Sequence, residues 1–320
     1  MNHMREVVWG IIGCGDVTEV KSGPAFNKVP HSRLGAVMRR DAVKAADYAR
    51  RHGVPRWYAD ADQLIGDPDV NAIYIATPPD SHLHYARKAL QKGKAVYVEK
   101  PVTRDSKEAA DLMEITGEQL LSVAHYRRRQ PLFLQVKEWL DQGRIGRPQR
   151  IELRFTQPYL PKPGVNWRLD PQIAGGGLFH DLAPLLVDLM RYFLGPAVRA
   201  TGISGNTGGA YEADDTVSGQ ILFPGGVLFS GYWCFTDREK KDQCRILGSE
   251  GSIEFPVFDH RTLLLTERDR STEWLFEPLP HVQQPMIEAV VRYFRGEADN
   301  PCPAAAAVDV MRMIDAFTRP

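Results

Sequence analysis

Residues 7–18 read VVWGIIGCGDVT. Val7 to Ile12 is an uncharged apolar run without polar alternation, the pattern of a short strand covered on both faces. It runs straight into Gly13-Cys14-Gly15-Asp16-Val17-Thr18. After such a strand, one glycine permits a tight turn and a second lets the backbone approach a ligand closely. The surroundings decide whether this is merely a turn or a ligand site.

Outward from the turn, strand and helix signals alternate. Leu34 to Met38 is a second apolar run, and Ala42 to His52 has helical patterning with Asp41 placed to cap it. Val70 to Ile75 is a third buried strand, followed by Thr77-Pro78-Pro79 and a helical stretch from Ser81 to Gln91. Ala95 to Val98 is another strand, stopped by Glu99-Lys100-Pro101. Ser106 to Thr116 is helical, and Leu120 to Ala124 is a last short strand. This alternation predicts right-handed βαβ units, hence a parallel sheet with helices on both faces. In that setting the glycine turn fits a Rossmann dinucleotide site, where a helix N-terminus adds N–H groups and positive dipole toward a pyrophosphate. Thr18 stands where that fingerprint has Gly or Ala, and Gly23-Pro24 interrupts the expected helix.

The second half has another texture. Gln130 to Gln142 reads as a helix ended by Gly143. Beyond Ile151, period-two alternation dominates: in 227–235, Val227, Phe229, Trp233 and Phe235 share one face, and Leu228, Ser230, Tyr232 and Cys234 the other. Gly225-Gly226 makes a hairpin with 216–223, and 246–248 and 252–255 flank a Ser-Glu-Gly turn. Helices are expected at 177–194, 282–296 and 303–318. The expected fold class is α/β: an N-terminal Rossmann, doubly wound parallel sheet over 1–124, then a C-terminal α+β domain over 125–320 with a large, mostly antiparallel open sheet. The C-terminal helix could pack back on the first domain.

Composition excludes several other classes. The chain has 320 residues, 43% hydrophobic and 25% charged, the proportions of a globular protein of about two domains. Lys plus Arg equals Asp plus Glu at 40 each, so there is no excess positive charge to bind nucleic acid. Cys14, Cys234, Cys244 and Cys302 have neither disulfide-framework nor metal-ligand spacing, which suits a reducing, cytoplasmic setting and no metal site. The N-terminus lacks a signal-peptide pattern, and no run approaches the ~20 apolar residues of a membrane span, so no membrane partner is expected.

The end of the second strand bears on which dinucleotide binds. An NAD site usually has a carboxylate there for the ribose hydroxyls. Arg39-Arg40 stand there instead. A guanidinium binds a 2′-phosphate bidentately, so NADP is expected over NAD. The alternative leaves both arginines as solvated surface and makes Asp41 the ribose-binding acid.

The glycine turn, Ala76-Thr77-Pro78-Pro79 through His82, and Glu99-Lys100-Pro101, in that order, resemble the Gfo/Idh/MocA oxidoreductases. The likeness continues in Asn166-Trp167-Arg168, in Gly175-Gly176-Gly177 with Asp181, and in Gly248-Ser249-Glu250-Gly251, so it spans essentially the whole chain. The resemblance implies a homo-oligomer, dimer or tetramer, joined through the open sheet of the second domain. It implies that Gly13, Gly15, Asp16 and Val17 line the cofactor pyrophosphate, bordered by Thr77 and Pro78. It puts His82 near the cofactor, although a helix-capping histidine reads almost as well. Glu99 and Lys100 would stand beside the nicotinamide, with Trp167 and Arg168 reaching the cofactor from the second domain.

Hydride chemistry at a carbinol carbon needs the hydroxyl proton taken or returned, and a cation at that oxygen stabilises the developing charge. Lys100, between a buried strand and a proline, is the candidate. Asp181 would orient substrate hydroxyls or the lysine; its alternative is an N-cap for a helix over 182–194. The family has a histidine four residues beyond this aspartate, where Leu185 stands. His180 is the nearest replacement; five residues is ~140° around a helix, so it serves as a catalytic group only if the helix starts after it, and His125, Tyr126 and Tyr159 are further candidates. Substrate choice would rest on Tyr159 and the 159–167 loop. The expected protein is an NAD(P)-dependent oxidoreductase acting on a secondary alcohol or ketone of a sugar, polyol or similar cyclic compound. The alternative is an NADP(H)-binding sensor with little turnover, given Leu185. A glycoside-hydrolysing branch is disfavoured because its His-rich glycine segment is missing.

Overall fold

A computed structural model of the chain describes residues 4–161, 166–259, 261–268 and 270–319. They form two compact units, each discontinuous in sequence. The first comprises 1–103, 107–130 and 279–308, the second 104–106, 131–278 and 309–320.

In the first unit, β1 (Val7–Ile12), α1 (Asp16–Val20), β2 (Ser32–Met38), α2 (Ala42–His52), β3 (Arg56–Tyr58) and α3 (Ala61–Gly66) make one half. The other half is β4 (Ala72–Ile75), α4 (His82–Gln91), β5 (Ala95–Val98), α5 (Ser106–Thr116) and β6 (Leu121–Val123). The six strands are parallel, in the order β3-β2-β1-β4-β5-β6. That order reverses between β1 and β4, and ligands bind such sheets beyond the carboxyl ends of the strands at the reversal. Every residue of β1, β4 and β5 is buried, which is why these strands read as unbroken apolar runs. Trp9 of β1 packs against Phe26 at 4.8 Å and Phe294 at 5.6 Å, and Tyr74 stacks on Tyr97 at 5.2 Å.

The sequence missed β3 and α3, which are too short to display a period. The expected helix after the glycine turn is cut to five residues. At Gly23 the backbone lies so close to Thr18 O and the Tyr48 hydroxyl that a Cβ would sit 2.2 Å from each, and Pro24 lacks the N–H a continuing helix needs. Late segments of the chain complete this unit. Val123 N–H donates to Cys302 O at 2.9 Å and Asn300 Nδ2 to Leu121 O at 2.7 Å, so 300–302 covers the free edge at β6.

The second unit contains α6 (Pro131–Asp141), β7 (Pro148–Thr156), α7 (Pro171–Ala174) and α8 (Gly177–Leu194). The strands β8 (Arg199–Gly205), β9 (Thr216–Leu222), β10 (Leu228–Cys234) and β11 (Lys241–Gly248) follow. Then come β12 (Gly251–Phe255), β13 (Thr262–Glu267) and β14 (Arg270–Leu275). Two helices close the chain: α9 (Gln284–Phe294), in the first unit, and α10 (Ala304–Thr318). The eight strands run β14-β13-β12-β11-β7-β10-β9-β8, antiparallel except for the β7–β10 pair. In β10, Phe229 and Trp233 face the core, while Leu228, Ser230 and Tyr232 are exposed. Cys234, expected on the solvent side, is buried at the strand end with Sγ beside the Thr216 and Thr236 hydroxyls. Phe179 of α8 and Phe317 of α10 meet Trp233 at 5.3 and 5.9 Å, so both helices cover the apolar face. The opposite face carries Glu152, Arg154, Tyr232 and Arg245, with Arg154 over the Tyr232 ring at 5.8 Å.

One expectation is corrected here. Pro171–Leu194 is long and apolar enough to cross a membrane by length and composition alone, but two-thirds of its most apolar stretch is buried inside the protein, which accounts for its apolarity as core. All four cysteines are buried free thiols.

Candidate active site

The sheet order brings the ends of β1, β2, β4 and β5 to one edge, and the residues singled out in the first unit gather there. At the end of β1, Gly13 N–H and Cys14 N–H both donate to Met38 O, at 2.9 and 3.1 Å, which seats the turn on the end of β2. Gly13 has φ +91°, and a Cβ there would lie 2.8 Å from Thr77 Cγ2. Glycine is therefore required by the fold itself at 13. Gly15 differs: its backbone is extended (φ −141°), and a Cβ would meet nothing nearer than Gly13 O at 3.9 Å. The missing side chain leaves open room over the turn, as a pyrophosphate against the backbone requires. Asp16 is exposed and Val17 half-buried at the start of α1. The residues present thus fit a dinucleotide.

Arg39 projects from the end of β2, half-buried, with Nη1 donating to Cys14 O at 3.2 Å. Its guanidinium is thereby held beside the glycine turn, while Arg40 is exposed. Asp41 is engaged elsewhere. Its Oδ1 accepts Lys44 N–H at 3.1 Å as the N-cap of α2, and that bond holds its carboxyl below the usual range.

Thr77 and Pro78 follow β4, with Ser81 Oγ donating to Thr77 Oγ1 at 2.7 Å. His82 opens α4 and is fully buried. Its Nε2 lies 2.7 Å from Thr77 O, and its Nδ1 lies 3.1 and 3.2 Å from Pro101 O and Val102 O. Burial holds its pKa below that of an ordinary imidazole. The ring therefore ties the Thr77 loop to the 101–102 segment and exposes no surface to a ligand.

Beyond β5, Glu99 is buried and Lys100 half-buried. Glu99 Oε2 accepts Lys100 N–H at 3.2 Å, and its Oε1 accepts from Tyr74 Oη and Gln283 Nε2, each at 2.5 Å. Sequence reasoning missed both of these partners. A tyrosine in the fully buried run Ala72–Ile75 was a legible clue, because a buried phenol needs an acceptor. Gln283 gave no local signal.

In the second unit, Asn166 Oδ1 accepts Arg168 N–H at 3.3 Å in the short turn Trp167–Leu169. The Arg168 guanidinium lies over the Trp167 ring at 4.4 Å, and its Nε donates to Asp181 Oδ2 at 3.1 Å. Asp181 is not an N-cap, since α8 begins four residues earlier. His180 donates from Nδ1 to Gly176 O at 3.0 Å, and its buried Nε2 has no hydrogen-bond partner among the described residues. Burial, then the charge of Arg319, push its pKa down to about 4, so the ring is neutral and sealed in the protein. Leu185 is 3% exposed. The triple glycine makes close approaches within this unit: a Cβ at Gly175 would lie 2.4 Å from Arg104 O, and one at Gly176 2.1 Å from His180 Nδ1. Tyr159 meets Tyr211 at 5.4 Å; within its loop, 162–165 lie outside the described residues.

The first unit has the sheet and turn of a dinucleotide-dependent oxidoreductase. A family model described as "Oxidoreductase family, NAD-binding Rossmann fold" matches residues 7–125, and the GFO/IDH/MocA C-terminal domain matches 133–254. Oxidoreductase P35 of Formosa agariphila is 44% identical over 315 residues, 97% of each chain. The 1,5-anhydro-D-fructose reductase of Ensifer adhaerens is 29% identical over 250 residues, 77% of this chain and 74% of that one. A levoglucosan dehydrogenase solved with NADH and levoglucosan superposes with a TM-score of 0.86, at 22% identity over 98% of this chain and 96% of that one. The chain belongs to the Gfo/Idh/MocA oxidoreductase family and is an NAD(P)-dependent dehydrogenase.

Proposed function

We propose that the protein is an NADP-preferring oxidoreductase acting on a secondary alcohol or ketone of a sugar, polyol or similar cyclic polyhydroxy compound. One observation carries the cofactor preference: Arg39 is held at the glycine turn while Asp41, the nearest carboxylate in sequence, caps α2. The substrate class takes support from the relatives, whose names describe reduction or oxidation of anhydrosugars.

In this reading the 13–17 turn carries the pyrophosphate, Arg39 and Arg40 the 2′-phosphate, and Thr77 and Pro78 border the cofactor. His82 supports that border through its loop contacts. Trp167 and Arg168 are assigned to the cofactor from the second domain. A bound nicotinamide supplies the two-electron chemistry. Lys100 then sets its amino group at the reacting oxygen, taking the hydroxyl proton as the neutral amine in oxidation and returning it as the ammonium in reduction, with Glu99 fixing the backbone beneath it. Asp181, steadied by Arg168, orients the substrate hydroxyls. His180 is a neutral, buried support for the Gly176 turn. Read along the chain, the domains are 1–124 and 125–320, with 279–308 returning to the first unit; the protein is read as a cytoplasmic homo-oligomer joined through the open sheet face. The sensor alternative is not favoured, since the lysine and aspartate are retained.

The test is to titrate NADPH and NADH by fluorescence, then follow cofactor absorbance with levoglucosan, 1,5-anhydro-D-fructose, D-xylose and myo-inositol. Tight NADPH binding and turnover of at least one compound is expected. NADPH binding with no turnover of any of them would return the sensor reading.

A further inference from the structure

We infer that Gln283 is a positioning residue that acts through Glu99 on Lys100 and couples the lysine to the helix that follows the glycine turn. The inference rests on the role proposed for Lys100. Glu99 is 5% exposed, and a buried carboxylate needs donors. Three of its donors come from different parts of the first unit. Tyr74 Oη, from β4, donates to Oε1. Gln283 Nε2, from just before α9, donates to the same oxygen. Lys100 N–H donates to Oε2. With Oε1 held by two donors, Oε2 is aimed at the amide of the lysine and fixes the backbone from which its side chain leaves.

The orientation of Gln283 is determined on every side. Tyr97 Oη donates to its Oε1 at 3.3 Å, so the amide nitrogen must be the end facing Glu99. Its carbonyl accepts Met286 N–H and Ile287 N–H, at 3.0 and 2.9 Å, to start α9. Its own N–H donates to Lys21 O at 3.2 Å, the residue after α1. Two residues earlier, Lys28 Nζ donates to His281 Nε2 at 2.7 Å, which leaves Nδ1 as the donor to Val20 O at 2.7 Å. The segment 281–283 is thus a strap. It grips the end of α1, whose start is Asp16 and Val17, and reaches under the sheet edge to the carboxylate that holds Lys100. A shift of α1 on dinucleotide binding would be felt at the lysine through one side chain.

Gln283→Met keeps the volume and removes both side-chain bonds. In cofactor-free protein we expect deuterium uptake at the Glu99, Lys100 and Val102 amides to quicken by at least about tenfold, the scale of a lost bond to a charged group, with 95–98 unchanged. With NADPH and the panel compound turned over fastest, kcat should fall at least about tenfold, with KM and the NADPH Kd within about threefold. In Lys100→Met, adding Gln283→Met should lower kcat no further. Unchanged exchange, or an equal further loss in Lys100→Met, overturns the inference. Tyr74→Phe removes a single hydroxyl and should give the same pattern in smaller measure; it serves if Gln283→Met does not fold, and wild-type exchange and turnover in it would likewise overturn the inference. Wild-type turnover in Lys100→Met alone removes the lysine's catalytic role, and the exchange measurement still reports whether Gln283 holds its backbone.

Discussion

Arg168 Nε lies 3.1 Å from Asp181 Oδ2, joining two residues that the sequence offered separately for cofactor and substrate. The pair is unequal in exposure, 32% for the arginine and 12% for the aspartate, so the arginine stands on the outer side of a largely covered carboxylate. Stacking on Trp167 leaves the guanidinium little freedom, which makes it a brace for Asp181.

Arg168→Ala is expected to lower kcat/KM by at least about tenfold while costing less than about 1 kcal/mol of stability, as for a partly exposed ion pair. Steady-state kinetics and urea unfolding on the same preparation check this. A stability loss with unchanged kcat/KM would make the pair merely structural.

Gly15 and Gly175 should respond oppositely to alanine. At 15 the backbone is extended and the space open, so Gly15→Ala should leave the urea midpoint unchanged and weaken NADPH by at least about tenfold. At 175, φ is +88° and a Cβ would press on Arg104 O. Gly175→Ala should cost roughly 1–3 kcal/mol or more, read in the same unfolding assay.

Arg39→Ala should raise the NADPH Kd by at least about tenfold and leave that of NADH within about twofold, since one charge-assisted phosphate contact contributes roughly 1.5–3 kcal/mol. Equal losses for both cofactors would mean that Arg39 supports the turn at Cys14 and does not choose the nucleotide.

Lys100→Met should lower kcat by roughly 10²-fold or more, the scale of general acid–base catalysis, with little change in NADPH affinity. Wild-type rates in Lys100→Met would remove the lysine from the chemistry.

His180 gives the fold an acid-side weakness. Its pKa is about 4 in the folded protein against 6.5 when solvated. Above pH 6.5 both states are neutral and stability is unaffected. As the pH falls from 6.5 toward 4 the unfolded chain takes up the proton first, and stability drops by roughly 3 kcal/mol. The fall in unfolding free energy across that range, read from urea titrations, should shrink by about this amount in His180→Gln.

The parallel sheet was legible because its central strands are buried on both faces, so Val7 to Ile12 and Ala95 to Val98 stand out as uncharged runs. β14 was not, because all six of its residues are exposed and no hydrophobic face marks it. At the candidate site, the strand-end positions of Gly13, Arg39 and Lys100 were legible because each follows an obvious strand. Gln283 was not, since it lies 184 residues from Glu99 and only the tertiary fold brings it there. The five-residue α1 was half legible: Gly23-Pro24 marked the break, but the cause, contact with Tyr48, is long-range.

The covering of β6 by residues 300–302 has a consequence for biosynthesis. A ribosome that has released residue 130 has made all six strands of the nucleotide-binding sheet, yet one edge is bare and the Glu99 carboxylate still lacks Gln283. At ~5–20 residues per second, the nascent chain waits on the order of ten seconds while the second unit is threaded out. The half that takes the cofactor is begun first and finished last, so a chain broken off before residue 279 carries an open sheet edge and is a natural client for chaperones.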